Sequence, residues 1–184
     1  MRLRQIGLGA AIVLHFTASL MEQASTTIIA PAVAQAVRSR PEITSAVTRG
    51  AMRCLRALGY SVLPEVVLAS GRRADILALA PHGRLLIVEV KSGLDDWRTD
   101  AKWSDYAAYC DALAFAVATD FPSEVLPTDL GLIVADAYGG AVIREPIETP
   151  LQPARRRAML MRFAALAADR LQALVDPITE EMLR

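Results

Sequence analysis

Three carboxylates and one lysine are spaced so that they could work together: Glu65, Asp75, Glu89 and Lys91. They lie in three runs rich in Val, Ile and Leu, separated by Ala69-Ser70-Gly71 and Pro81-His82-Gly83. Each break suits a three-residue hairpin loop with glycine in the left-handed position. Such loops fix a register. If Leu68 faces Arg72, Glu65 faces Asp75; if Ala80 faces Arg84, Asp75 faces Glu89. Directly opposite residues share a face and side chains alternate along a strand. Glu65, Asp75 and Glu89 are therefore expected in a row across three strands, with Lys91 beside Glu89. Like charges set opposite one another destabilise a sheet. Lys91 offsets one of them, and a divalent cation with oxygen ligands would offset the rest. The plainer alternative is a solvated strand face with a single salt bridge. Two-residue loops would shift the register by one and turn Glu65 to the other face.

The elements around this meander (Val62 to Val90) alternate between helical and extended patterns. Pro41 and Thr44-Ser45 look like a helix start and Gly59 like its stop. Val47, Ala51, Cys54, Leu55 and Leu58 form one face of that helix, and Arg49, Arg53 and Arg56 the opposite one. After Ser92-Gly93, Asp95-Asp96 can cap a helix running to about Cys110. Trp97, Ala101 and Ala108 form its inward side, with Arg98, Lys102 and Tyr106 as an adjacent polar strip. Trp103 reads as packing. Leu113 to Ala118, Leu130 to Ala135 and Ala141 to Arg144 read as short strands, with a proline-containing loop between the first two. A last helix from Ala154 to about Val175 carries Leu160, Phe163, Ala167, Leu171 and Leu174 on one face. Arg155-Arg156-Arg157 opens it, where cations oppose the helix dipole. These arginines are either tolerated in solvent or relieved by an external anion such as a DNA phosphate.

Asp75, thirteen residues, then Glu89-Val90-Lys91 after an apolar strand resembles the PD-(D/E)xK nuclease signature. The wider set is Arg49-Gly50, Leu55 to Gly59, Gly71-Arg72-Arg73-Ala74-Asp75, Val88 to Ser92, Asp100 to Tyr106 and Ala135 to Gly139. Together these resemble the MmcB family of bacterial DNA-repair proteins, from about Thr48 to about Asp176. The resemblance implies an α/β fold, a mixed β-sheet flanked by helices with a restriction-endonuclease-like core. It implies metal-dependent hydrolysis of DNA phosphodiesters, with Asp75, Glu89 and Lys91 catalytic. Mg²⁺ or Mn²⁺ would be held by Asp75 and Glu89, helped by Glu65 or the carbonyl of Val90. Many superfamily members carry a glutamate on the first core helix. The helix expected here has none, and Glu65 stands as its substitute. DNA is the expected partner, through Arg49, Arg53, Arg56, Arg72, Arg73, Arg98, Lys102 and Tyr106, with further repair-protein partners. The competing reading is a catalytically inactive nuclease-fold module that binds DNA or a repair partner.

The chain has 184 residues, 53% of them hydrophobic, which suits one domain with a full core. Twenty basic and twenty acidic residues cancel, so any DNA site must be a local patch. Cys54 and Cys110 lack metal-ligand spacing and read as reduced thiols in a cytoplasmic protein. His15 and His82 are isolated. The sequence holds no Walker-type loop, no zinc cluster, no internal repeat, and no Ser-His-Asp set that spacing could support.

The expected division is a leader over 1–40, a nuclease-like domain over 41–176 and a tail over 177–184. In the leader, Arg2 and Arg4 precede an apolar run, Ile6 to Leu14, that superficially resembles a signal peptide. The run is too short to span a bilayer. The leader reads as flexible or weakly helical, with secretion as the alternative.

Overall fold

The computed structural model describes residues 39–99 and 103–177. The expected leader up to residue 38, Lys102 and most of the tail lie outside the described residues.

Helix α1 (Arg40–Ala57) starts where its chemistry allows. Pro41 occupies the first turn, where a missing N–H costs nothing. Glu42 accepts the backbone N–H of Ser39 at 2.7 Å, closing the helix start. This corrects one expectation, because the helix begins early enough to include a glutamate. Glu42 serves the cap. Gly59 ends the element with φ +87°, as its position predicts. Ala46, Val47, Gly50, Ala51 and Leu55 are buried, whereas Leu58, expected inward, is 56% exposed.

Next comes the meander, β1 (Ser61–Val67), β2 (Arg73–Leu79) and β3 (Leu85–Lys91). Both hairpin loops have three residues. Leu68 N–H bonds Arg72 O at 2.7 Å and Ala80 N–H bonds Arg84 O at 2.9 Å. Gly71 and Gly83 take φ of +83° and +87°, a conformation that costs glycine little. The register is as expected, with Val66 opposite Ala74 and Ile76 opposite Val88.

Helix α2 (Leu94–Thr99) and a 3-10 segment, Trp103–Tyr109, occupy the stretch expected as one helix. Strands β4 (Ala112–Val117) and β5 (Gly131–Ala135) join parallel to β3, and β6 (Gly140–Arg144) closes the order antiparallel to β5. The result is a six-stranded mixed sheet in sequence order. β3 and β4 are buried at every position, as central strands with both faces covered require.

Helix α1 covers one face through Val47, Ala51 and Leu55 against Ile76, Val88, Ala114 and Ile133. Helix α3 (Pro153–Val175) covers the other with Met159 and Phe163, beside Tyr106 of the 3-10 segment. Trp97 and Trp103 stack at 6.3 Å and both meet Phe115 edge-on. The last part of the expected α3 stripe is not buried: Leu171 is 60% exposed and Leu174 81%. Arg170 already reaches the edge strand β1, and among the described residues no strand lies beyond it to be covered. Among the described residues, no helix is long and apolar enough to cross a membrane.

Candidate metal and nucleic-acid site

The β2–β3 ladder stops at Ile76 and Val88. One step further, side chains take over the pairing. Glu89 Oε1 accepts the N–H of Asp75 at 3.2 Å, and Asp75 Oδ2 accepts the N–H of Val90 at 2.8 Å. Each carboxylate is thus held by the backbone of the opposite strand, and the two are brought together. Lys91 lies beside them, 3% exposed. Burial raises the Asp75 carboxyl above the ordinary aspartate value, with a further push from Asp96. The Val90 N–H and the charges of Lys91 and Arg73 pull it down without cancelling that rise.

The expected row of three is not assembled. Glu65 stands opposite Asp75 by count, but its φ is +50°, an uncommon conformation for a residue with a Cβ. Around it the alternation slips. Leu63 and Val66, three apart, both face the α3 side, as do Ala74 and Leu77 opposite them. A strict period of two forbids this. The Glu65 carboxylate lies 3.6 Å from Arg73 and is largely exposed. Among the described residues, no group of three His, Cys, Asp or Glu is close enough to hold a metal ion. The donor set present is the Asp75 and Glu89 pair. Mg²⁺ fits such a pair, because it retains several waters and takes one or two carboxylates plus substrate oxygens.

A cleft of about 1090 Å³ opens over this pair, walled by the first half of α1, the β1 bend, α2 and Arg170 of α3. Of the residues expected to touch DNA, Arg49 lines it. Arg53 instead donates to the carbonyls of Ala137 and Tyr138, at 2.7 and 3.1 Å, tying α1 to the β5–β6 turn. Arg56 and Arg98 are exposed away from the cleft lining. Arg72 pairs with Asp105 at 2.5 Å, and Arg73 with Glu65. Tyr106, read as part of a polar strip, is buried, and its hydroxyl donates to Arg73 O at 3.0 Å. Its ring packs on the α3 side of the sheet, because the segment winds as a 3-10 helix and shifts the phase of the strip.

Several cleft residues escape a reading of the sequence. Thr44, Ser45 and Thr48 of α1 contribute hydroxyl-bearing side chains to the lining. Arg170 donates to Pro64 O at 2.6 Å and Glu65 O at 3.1 Å, which fastens α3 to the β1 bend. Asp96, read as a cap, accepts Ser92 N–H at 3.0 Å and lines the cleft. No local pattern marks Arg170, since it meets β1 across more than a hundred residues. Asp96 had a signal in its place five residues after Lys91.

Two charged features are structural. Asp111 is buried and receives both guanidinium nitrogens of Arg156 together with the N–H groups of Leu85 and Leu151. Burial alone would raise its carboxyl, but those hydrogen bonds outweigh it and hold it below the usual aspartate range. Arg155 lies over the Tyr109 ring at 5.9 Å. So two of the three arginines opening α3 serve the protein itself. Cys54 and Cys110 are free, and burial raises both thiols, Cys110 to about 12. Neither is a poised nucleophile.

A family model described as DNA repair protein MmcB-like matches residues 31–178. The solved structure of a protein of unknown function from Silicibacter pomeroyi is 43% identical, with a TM-score of 0.71. That similarity covers 73% of this chain and 92% of the other. No match was found among curated proteins.

Proposed function

Since the chain belongs to the MmcB-like family of DNA repair proteins, we propose that its part in repair is hydrolytic. On this reading it is a Mg²⁺- or Mn²⁺-dependent endonuclease with a PD-(D/E)xK-like core. The observation that carries the reading is the end of the β2–β3 ladder. Asp75 and Glu89 are locked together there, beside a buried Lys91, at the floor of a cleft. Burial raises the Asp75 carboxyl, and a cation bound beside it would favour its charged form.

Asp75 and Glu89 would hold the ion, with water and phosphate oxygens completing its shell. When bound, it supplies Lewis-acid polarisation of the phosphate and a lowered pKa for the attacking water. Lys91 would orient that water, take its proton or stabilise charge on the phosphoryl oxygens. Arg49 lines the wall along which a phosphate backbone would run, together with Ser45, Thr44 and Thr48, the two threonine hydroxyls donating to Arg40 O and Thr44 O within the helix. Arg170 keeps the β1 bend in place and so sets the width of the opening.

Asp75→Asn and Glu89→Gln keep the acceptor atoms that hold the strands together, so both variants should fold. Each should lose Mn²⁺ binding in calorimetry and cleavage of a panel of duplex, nicked, branched and single-stranded DNA. Unchanged Mn²⁺ affinity in both would overturn the site. The second reading, an inactive module that binds DNA or a partner, is favoured by the missing third carboxylate among the described residues. Absence of cleavage by the unaltered protein on every substrate, with Mn²⁺ bound, would decide for it.

A further inference from the structure

Arg40 is the first residue of α1, where a cation opposes the helix dipole. Asp95 lies in the first turn of α2, where a carboxylate is favoured. The two meet at 2.8 Å, across 55 residues of chain. Their contact ties the start of α1 to the start of α2, two walls of the cleft over Asp75 and Glu89.

Three observations set this pair apart. Arg40 lines the cleft and Asp95 does not, so a cation of the cleft is held by a carboxylate outside its lining. Both side chains are largely exposed, 67% and 69%. Exposed pairs contribute little to stability and are screened by salt, so an incoming anion can exchange with Asp95 at small cost. Arg53 and Arg170 differ, because each is fixed to two backbone carbonyls. Finally, Arg40 stands nine residues before Arg49, about 13 Å along the helix axis at about 1.5 Å per residue. Phosphates of one DNA strand succeed one another every ~3.4 Å of axis, so cations that far apart meet different phosphates.

We infer that Arg40 is a further phosphate seat of the cleft and that Asp95 fills it with its own carboxylate. The inference rests on the DNA-binding reading above. The ligand class is a phosphodiester backbone, whose oxygens a guanidinium fork takes as it takes those of a carboxylate. While Asp95 is in place, Arg49 carries the α1 side of the cleft and the backbone is held weakly. Asp95 thus limits affinity for every sequence alike, because phosphate contacts position a duplex without reading it.

The test measures binding of a labelled mixed-sequence duplex to the full chain in Ca²⁺, by fluorescence anisotropy, across the range of about 50 to 200 mM salt. Asp95→Asn should bind up to about five-fold more tightly at low salt, the upper end for an exposed pair. It should also steepen the slope of log K against log salt by about one unit. In an Arg40→Gln background the same substitution should bring neither change. Glu124→Gln removes an exposed carboxylate from the 3-10 turn between β4 and β5, outside the cleft lining, and should leave the slope alone. All three positions are exposed, so the variants should fold, which melting curves check. An unchanged slope in Asp95→Asn overturns the inference. So does an equal gain in the Arg40→Gln background, or in Glu124→Gln, either of which would mark a long-range charge effect with no seat at Arg40. Arg49→Ala, measured alongside, separates this inference from the reading beneath it. If Arg49→Ala lowers the slope and Asp95→Asn leaves it alone, the cleft binds DNA and Arg40 is only a surface tie. If Arg49→Ala has no effect either, the cleft is not the path of the backbone and both fall.

Discussion

Lys91 occupies the last position of a buried strand, next to two carboxylates that need a counter-charge. If balance is its whole role, a bound divalent ion replaces it, and Lys91→Met should cleave DNA in saturating Mg²⁺ nearly as well as the parent. If it acts on the water, the ion cannot substitute. We expect the second outcome, a fall of roughly 10²- to 10⁴-fold, with DNA affinity in Ca²⁺ little changed. Cleavage within a few-fold of the parent would remove Lys91 from the chemistry. Asp111 makes a contrasting case, a buried carboxylate whose partners are all structural. Its folded-state pKa is depressed, so its stabilisation is present above the unfolded-state value of about 4. That stabilisation is lost as pH falls through the lower folded-state value. Asp111→Asn should lose about 3 kcal/mol in urea unfolding at pH 7, the low end for breaking a buried pair. The gap between the parent and variant curves should narrow as the pH falls below the unfolded-state value. A constant gap between them across that range would show that Asp111 is not the titrating group.

At the level of elements, helix α1 divides its arginines. Arg49 lines the cleft and Arg53 holds the β5–β6 turn. Arg49→Ala should lower the slope of log K against log salt for DNA by about one unit. Arg53→Ala should leave that slope alone and cost about 1 kcal/mol of stability. Equal effects on the slope would mean that the helix presents one undivided cationic stripe. Helical periodicity could show three arginines on one side of α1 but not which of them meets a turn more than eighty residues away. The same limit runs through the rest of the site. Both hairpin loops were legible because Gly71 and Gly83 mark them locally, and the loops fix the Asp75–Glu89 register. The phase slip at Glu65 was not, because no pattern in Pro64-Glu65-Val66 announces a left-handed residue. That slip turns a predicted row of three carboxylates into a pair. Tyr106 was misplaced for a related reason, since the step from α2 to a 3-10 segment changes which residues share a face. Gly50 shows what only packing reveals: a Cβ there would overlap the carbonyl oxygens of Asp136 and Gly139.

For the whole molecule, charge is the property that most limits how DNA could be held. Twenty cations and twenty anions leave no global attraction. The cleft repeats the balance, with Arg40, Arg49, Lys91 and Arg170 against Glu65, Asp75, Glu89 and Asp96. Arg40 is paired with Asp95 at 2.8 Å, and Lys91 sits among carboxylates. Arg49 is then the cation best placed for phosphates, with Arg170, bonded to the carbonyls of Pro64 and Glu65, and Arg73 close by at the β1 bend. Each phosphate neutralised contributes about 0.9 to the salt slope on duplex DNA. Three contacts give a slope no steeper than about −3, which is a loss of roughly forty-fold in affinity between 50 and 200 mM salt. Binding measured in Ca²⁺ across that range should show this shallow dependence. A slope near −8 would mean that DNA is gripped by arginines outside the cleft, and the cleft would then not be where its backbone runs.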